Sequence, residues 1–316
     1  MAASAADGTG AQCAATVLMV RPAAFCGNPE TAATNAFQAA GIFGADLRDE
    51  ARAESDALAT ALDAAGVQVL VLDDTPEPAK PDACFPNNWL SLHHDGTAVL
   101  YPMLAPSRRR ERREEALALV RRRGFVVRRV MDLTHFEAQG AFLEGTGSLV
   151  LDHLARVAYA CRSPRTHAAP LEAFAREFGY EPQAFDATGP AGEAVYHTNV
   201  VMSVGECFAV ACLEAVGDET QRRRLRESLE AAGREVLGID RAAMNAFAGN
   251  LLQLETQTGG RVIALSATAL AALGSGLRSR LERHGELVSV PVPVIERYGG
   301  GSVRCMLAEV FLPRES

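Results

Sequence analysis

Apolar residues in this chain come in short runs that are paired across turn signals. Asn88–His93 and Thr97–Leu100 flank His94-Asp95-Gly96, an Asp-Gly hairpin signal. Ser148–Leu151 and Arg156–Ala160 flank Asp152-His153-Leu154, and Asn199–Ser203 and Cys207–Leu213 flank Val204-Gly205-Glu206. Leu251–Glu255 and Arg261–Leu265 flank Gly259-Gly260. After each pair the spacing of apolar positions changes to a helical one: residues 107–123, 170–178, a stretch ending at Ala231, and 266–283. A further strand is predicted over 125–130. The turns at Asp95, Asp152, Gly205 and Gly259 lie 57, 53 and 54 residues apart. A period near ~50 marks a radial or stacked repeat of hairpin, helix and strand.

The two ends of the chain supply a fifth unit in pieces. Thr16–Val20 is an apolar strand, followed by helical patterns over 31–40 and 55–65, the second closed by Gly66, and by a buried strand over 67–72. At the other end three glycines, Gly299 to Gly301, lead into an apolar run from Val303 to Leu312 that reads as a strand closed by Pro313. Pairing that strand with Thr16–Val20 closes a ring and removes exposed sheet edges. A doubly wound open sheet would need a glycine-rich strand-to-helix turn, which this sequence does not offer. The expectation is an α/β propeller of five pseudo-symmetric ββαβ units in one catalytic domain, residues 16–316, behind a disordered tail of residues 1–15. The turn-rich loop Phe25–Pro29 is a candidate lid.

Composition narrows the function. With 31 basic and 39 acidic residues the 316-residue chain carries a net charge of -8, and no basic stripe is interleaved with aromatics, which argues against nucleic acid as a partner. The arginine-rich run from Arg108 to Arg123 alternates with glutamates and reads first as a solvated helix face. No apolar stretch approaches the ~18 residues needed to span a bilayer, so no membrane partner is expected. The N-terminus lacks a basic region before an apolar one and does not read as a signal peptide. Seven cysteines without regular spacing suggest reduced thiols in a cytoplasmic protein. No CxxC pair or HExxH helix offers a metal site. A small-molecule substrate is therefore the expected partner. A homodimer is compatible with the sequence, which leaves the oligomeric state open.

A polar residue precedes each hairpin at nearly the same offset: Asn88, Glu144, His197 and Asn250 lie 7, 8, 8 and 9 residues before their turns. Cys305 enters the predicted fifth strand in the matching place. Rotational symmetry would bring all five to one axis. Each has an ordinary explanation: a turn cap, a loop acid, a satisfied core histidine, a buried cysteine. Their shared register is harder to explain that way. A cysteine, a histidine and a carboxylate are also the set needed for thiolate attack with acid–base help.

These segments resemble the amidinotransferase and arginine deiminase superfamily, the pentein fold, over nearly the whole chain from Thr16 to Leu312. Phe85-Pro86-Asn87-Asn88-Trp89 stands where arginine deiminases carry an aromatic-x-Arg-Asp segment. Glu144-Gly145-Thr146-Gly147 resembles their Glu-Gly-Gly-Asp, and His197-Thr198-Asn199 their His-x-Asp. Gly300 to Cys305 resembles their glycine-rich approach to the nucleophile. The segments around Arg108 and Arg165 resemble those whose arginines hold the substrate carboxylate.

The resemblance implies a cofactor-free hydrolase with Cys305 as nucleophile, His197 as acid and base, and Glu144 at a substrate nitrogen and beside the histidine. It also implies Arg108 and Arg165 at the α-carboxylate, and Asn88, Asn199 and Asn250 around the substrate. Two positions depart from the deiminases, which hold a guanidinium with two aspartates where this chain has Asn88 and Asn199. An amide can donate to a carbonyl and accept from an NH2 group, which suits the neutral ureido group of citrulline. The expected reaction is L-citrulline to L-ornithine, carbon dioxide and ammonia. The alternatives are an arginine deiminase, a dimethylarginine or succinylarginine hydrolase, an amidinotransferase, or a catalytically silent propeller that binds partners.

Overall fold

The described residues form five three-stranded sheets, and each is built the same way. The structure is a computed structural model and describes residues 10–39, 47–189 and 191–315. The strands are β1 (Thr16–Arg21), β2 (Gln68–Asp73), β3 (Leu90–Leu92), β4 (Thr97–Leu100), β5 (Arg129–Asp132), β6 (Leu149–Asp152), β7 (Val157–Cys161) and β8 (Glu181–Phe185). They continue as β9 (Met202–Val204), β10 (Phe208–Ala211), β11 (Glu235–Gly238), β12 (Leu252–Glu255), β13 (Arg261–Ser266), β14 (Glu286–Val290) and β15 (Ala308–Glu309). In the first unit β3 pairs antiparallel with β4, which pairs parallel with β5 after a crossover. The units β6-β7-β8, β9-β10-β11 and β12-β13-β14 repeat this pattern. The fifth is β15-β1-β2, its hairpin cut so that its strands come from the two ends of the chain. The five-unit α/β fold expected from the turn spacing is the fold observed.

The middle strand of each unit explains why the sequence reads as short, continuous apolar runs. It is covered on both faces, and in β1, β4, β7 and β13 alternate residues enter different cores, whereas those of β10 join one continuous core. Val17 and Met19 of β1 pack toward β13, whereas Leu18 and Val20 pack toward β3 and β4. In β7, Ala158 and Ala160 face the first unit and Tyr159 and Cys161 face the third. Each unit thus shares its core with both neighbours and closes the ring by side-chain burial, about 1.5–3 kcal/mol for each large apolar side chain.

Several elements differ from expectation. Residues 107–123 form two helices, Pro106–Arg109 and Glu114–Arg122, because Arg113 is extended and caps the second. The helix expected over 31–40 is one turn, Pro29–Ala32, followed by further turns, and residue 40 lies outside the described residues. The strand expected over 125–130 begins at Arg129: Phe125 is drawn into the core and Val126 donates to Pro313 O. Residues 266–283 split at Leu273 and Gly274 into Ala267–Ala272 and Ser275–Glu282. The strand expected from Val303 to Leu312 shrinks to β15, because Val303–Met306 coil into a single 3-10 turn.

Residues 1–9 of the expected tail lie outside the described residues. The rest of it is not a free tail. Gln12 and Cys13 are buried, and Gln12 donates to Leu151 O and accepts from His153 N. Among the described residues, no helix is long and apolar enough to cross a membrane.

Candidate active site

The first strands β3, β6, β9 and β12 run from the predicted polar residue to the hairpin turn, and β15 follows Cys305 in the same sense. The polar residue does not sit in the strand itself. It sits in a turn just before it: Asn88 ends the 3-10 turn Pro86–Asn88, and Glu144 and His197 precede the one-turn helices Gly145–Ser148 and Thr198–Val201. Cys305 lies inside the turn Val303–Met306 rather than in a strand, which corrects its expected placement. These turns fold inward only where the backbone can approach closely. A Cβ at Gly147 would lie 2.6 Å from His197 Nδ1 and 2.5 Å from Asn88 Nδ2. Gly300 adopts φ +64, and its carbonyl accepts the Tyr196 hydroxyl.

A pocket opens here, lined among others by Asn88, Arg108, Arg165, His197 and Cys305. His197 Nε2 lies 2.9 Å from Glu144 Oε2, and Glu144 Oε1 accepts Leu104 N at 3.1 Å. Arg165 Nη1 and Arg108 Nη1 stand 3.4 and 3.7 Å from the same Oε2. Burial alone would raise the Glu144 carboxyl, but Arg165, the His197 hydrogen bond and Arg108 outweigh it and hold it well below the usual range. Burial moves His197 down, against the pull of Glu144, so its imidazole is neutral at neutral pH.

Arg108 is not on a solvated helix face. It is buried, and its Nε and Nη2 engage both oxygens of Glu111 at 3.0 and 2.9 Å, while Nη1 donates to Asn88 Oδ1 at 2.8 Å. The Asn88 amide donates in turn to Asn87 Oδ1. Arg165 reaches across to Thr31 O and Thr34 Oγ1 and lies over the Tyr196 ring at 5.0 Å.

Asn199 and Asn250 meet the thiol instead of lining the pocket: their Nδ2 atoms lie 3.5 and 3.3 Å from Cys305 Sγ. All eight predicted residues thus gather around one pocket, in two layers.

Sequence reasoning missed Asp82, Tyr196 and Glu111, which do not recur from unit to unit. Asp82 is buried in the pocket wall; Asn28 donates to its Oδ2 at 2.7 Å, and its Oδ1 has no hydrogen-bond partner. Burial raises its carboxyl above the usual range, against Arg108 and the Asn28 hydrogen bond. The loop Phe25–Pro29 is an anchor here, with Phe25 and Asn28 buried, and it is Thr31 and Asn35 that reach the pocket.

The family model described as N,N dimethylarginine dimethylhydrolase, eukaryotic, matches residues 21–312. The chain belongs to this family. It is a pentein and a hydrolase of the amidino-type carbon–nitrogen bonds of arginine-like compounds. A search of curated proteins found no match.

Among solved structures, the N-terminal domain of ArgZ, a cyanobacterial arginine dihydrolase, in a cysteine-to-serine mutant bound to substrate, is similar with a TM-score of 0.72 at 16% identity. That likeness covers 94% of this chain and 99% of the other. AgrE, in a cysteine-to-alanine mutant with L-arginine, matches with a TM-score of 0.72 at 17% identity over 95% of this chain and 41% of its own. A dimethylarginine hydrolase (DDAH) from Pseudomonas aeruginosa, a cysteine-to-serine mutant complexed with citrulline, gives 0.64 at 17% identity over 93% and 98%. At these identities the likeness speaks for the fold.

Proposed function

We propose that this member of the family hydrolyses L-citrulline to L-ornithine, carbon dioxide and ammonia through a covalent intermediate on Cys305. One observation carries the choice of a neutral ureido group over a guanidinium. The side chains against the thiol are the amides Asn199 and Asn250, with Asn88 in the pocket wall, while Glu144 and Glu111 are engaged by His197, Arg165 and Arg108. A guanidinium brought to that sulfur would be buried beside donors without a carboxylate of its own, at high cost. A ureido group can instead use donors and acceptors of both kinds.

The zwitterionic head of the substrate needs one site of each charge. Arg165 supplies the cation for the α-carboxylate. Arg108, with its fork closed by Glu111 and Asn88, supplies field rather than a bidentate contact. The unpartnered Oδ1 of Asp82 accepts the α-ammonium group.

Neutral His197 takes the thiol proton, and Glu144 stabilises the resulting imidazolium. Sγ bonds to the ureido carbon. The carbon–Nδ bond breaks as His197 returns the proton to the departing amine of ornithine. Water, deprotonated by His197, then attacks the S-carbamoyl carbon and the carbon–sulfur bond breaks. The carbamate released decomposes to carbon dioxide and ammonia.

Turnover of citrulline, arginine, dimethylarginine and N-succinylarginine should be compared, with ammonia and ornithine measured. Citrulline giving ornithine and ammonia without an added amine is the expected result. Faster turnover of arginine overturns the reading, and a requirement for an acceptor amine makes the chain a transferase.

A further inference from the structure

We infer that Asn250 and Asn199 form a two-donor cradle that stabilises the Cys305 sulfur as it gives up its proton, making them positioning residues of the nucleophile rather than substrate contacts. The inference rests on the reading of Cys305 as the nucleophile. The argument begins with the Asn250 amide, whose two ends are told apart by main-chain groups. Its Oδ1 accepts the N–H of Arg304 at 3.1 Å, and a nitrogen there would set donor against donor. Its Nδ2 donates to Asn199 O at 3.0 Å, where an oxygen would set acceptor against acceptor. The orientation is therefore fixed twice. The second hydrogen of Nδ2 faces Cys305 Sγ at 3.3 Å.

The sulfur meets a donor by construction. A neutral thiol is a weak acceptor, whereas a thiolate accepts strongly, so a fixed N–H favours the ionised form. Asn199 adds a second donor from the adjacent unit, Nδ2 at 3.5 Å, and its main-chain oxygen is the group that helps fix Asn250. Asn250, Asn199 and the residue before the nucleophile thus form one assembly drawn from three units. It lies behind the sulfur, leaving the pocket side open for attack: Cys305 lines the pocket, and neither asparagine does. Among the described residues the donors bonded to this sulfur are these two neutral amides.

The test is alkylation of Cys305 by iodoacetamide without substrate, read by mass spectrometry on the native protein and on Asn250→Asp and Asn199→Asp. Both changes keep side-chain size, and two variants keep the test readable if one fails to fold. Each replaces a donor to sulfur with a carboxylate oxygen. The labelling rate at pH 7 should fall about tenfold or more, since the thiolate is the reacting form. At pH 10, above the ordinary thiol range, the rate should return to within about threefold of native. Rates unchanged at pH 7 overturn the cradle. Rates that fall equally at both pH values also overturn it, because the asparagines would then govern only access. Failure of the nucleophile reading would show elsewhere, as turnover retained by Cys305→Ser.

Discussion

The same five strands carry opposite chemistry at their two ends. At their starts, Glu144, Arg165 and Arg108 are buried and stay charged because each faces a partner of opposite sign, while burial pushes the Glu111 carboxyl up to about 7 against the pull of Arg108. At their far ends, around the hairpin turns, His93 and His153 are equally buried but have no such partner. His93 stacks on Phe178 at 4.2 Å and its Nε2 meets Ser91 Oγ at 2.7 Å, while His153 Nδ1 meets Tyr180 OH at 2.7 Å. Burial pushes His93 down to about 3 and His153 well below the usual range. Burial alone discharges a group, and only a built counter-charge keeps it ionised. The starts of the strands are arranged for chemistry, the ends for packing.

The largest expected effect tests the chemical end. Cys305→Ser should cut turnover by at least ~10³-fold while the melting temperature moves little, because serine is nearly isosteric but a poor nucleophile here. Substantial residual activity means another residue attacks. Next comes Asn88→Asp, which sets an acceptor against the ureido oxygen. Citrulline turnover should drop about tenfold to hundredfold and arginine binding should improve, both read by steady-state kinetics. Equal losses for the two substrates would show that Asn88 does not discriminate between them.

Arg165→Lys keeps a cation beside Glu144 but loses the fork. KM for citrulline should rise about tenfold with kcat little changed, whereas a decarboxylated analogue should be indifferent to it. An equal loss with that analogue would make Arg165 structural.

The smallest effect on activity belongs to the packing end. The unfolded chain binds a proton at His93 below about pH 6.5, and the native chain does not until about 3. Stability is therefore full above about pH 6.5 and declines as the pH falls toward 3, with a loss near pH 5 of about 2 kcal/mol from this group. His93→Phe should flatten the decline of melting temperature between pH 7 and 5 and leave turnover at pH 7 unchanged. A slope identical to native would show that His93 is not the titrating group.

What could be read from the sequence was what repeats. The Asp-Gly and Gly-Gly turns fixed the unit length, and the offsets before them singled out Asn88, Glu144, His197 and Asn250. Residues that serve the site once leave no such trace. Asp82 and Tyr196 have no counterparts in other units, so no register pointed to them. Arg108 stood in an apparently solvated charge run because its partner Glu111 sits three residues on, a spacing shared by surface ion pairs. The run from Val303 to Leu312 has the residue types of a strand, but the left-handed Gly300 and the contacts of Asn250 with Arg304 and Cys305 coil its first half. The division of the asparagines between substrate and sulfur was not legible either. It depends on which amide end meets which main-chain group.

The cut in the fifth unit also bears on how the protein is made. β1 leaves the ribosome long before its partner β15, because the other four units lie between them in the chain. Joining segments so distant in sequence is a slow step, because little of the chain's freedom has been surrendered locally beforehand. Cys305 lies in that same late segment, three residues before β15. Until that segment is made, a chain can hold four blades with Glu144 and His197 but not Cys305. The lock of the ring and the proposed nucleophile are delivered together, so on the proposed mechanism an unclosed chain cannot begin the reaction.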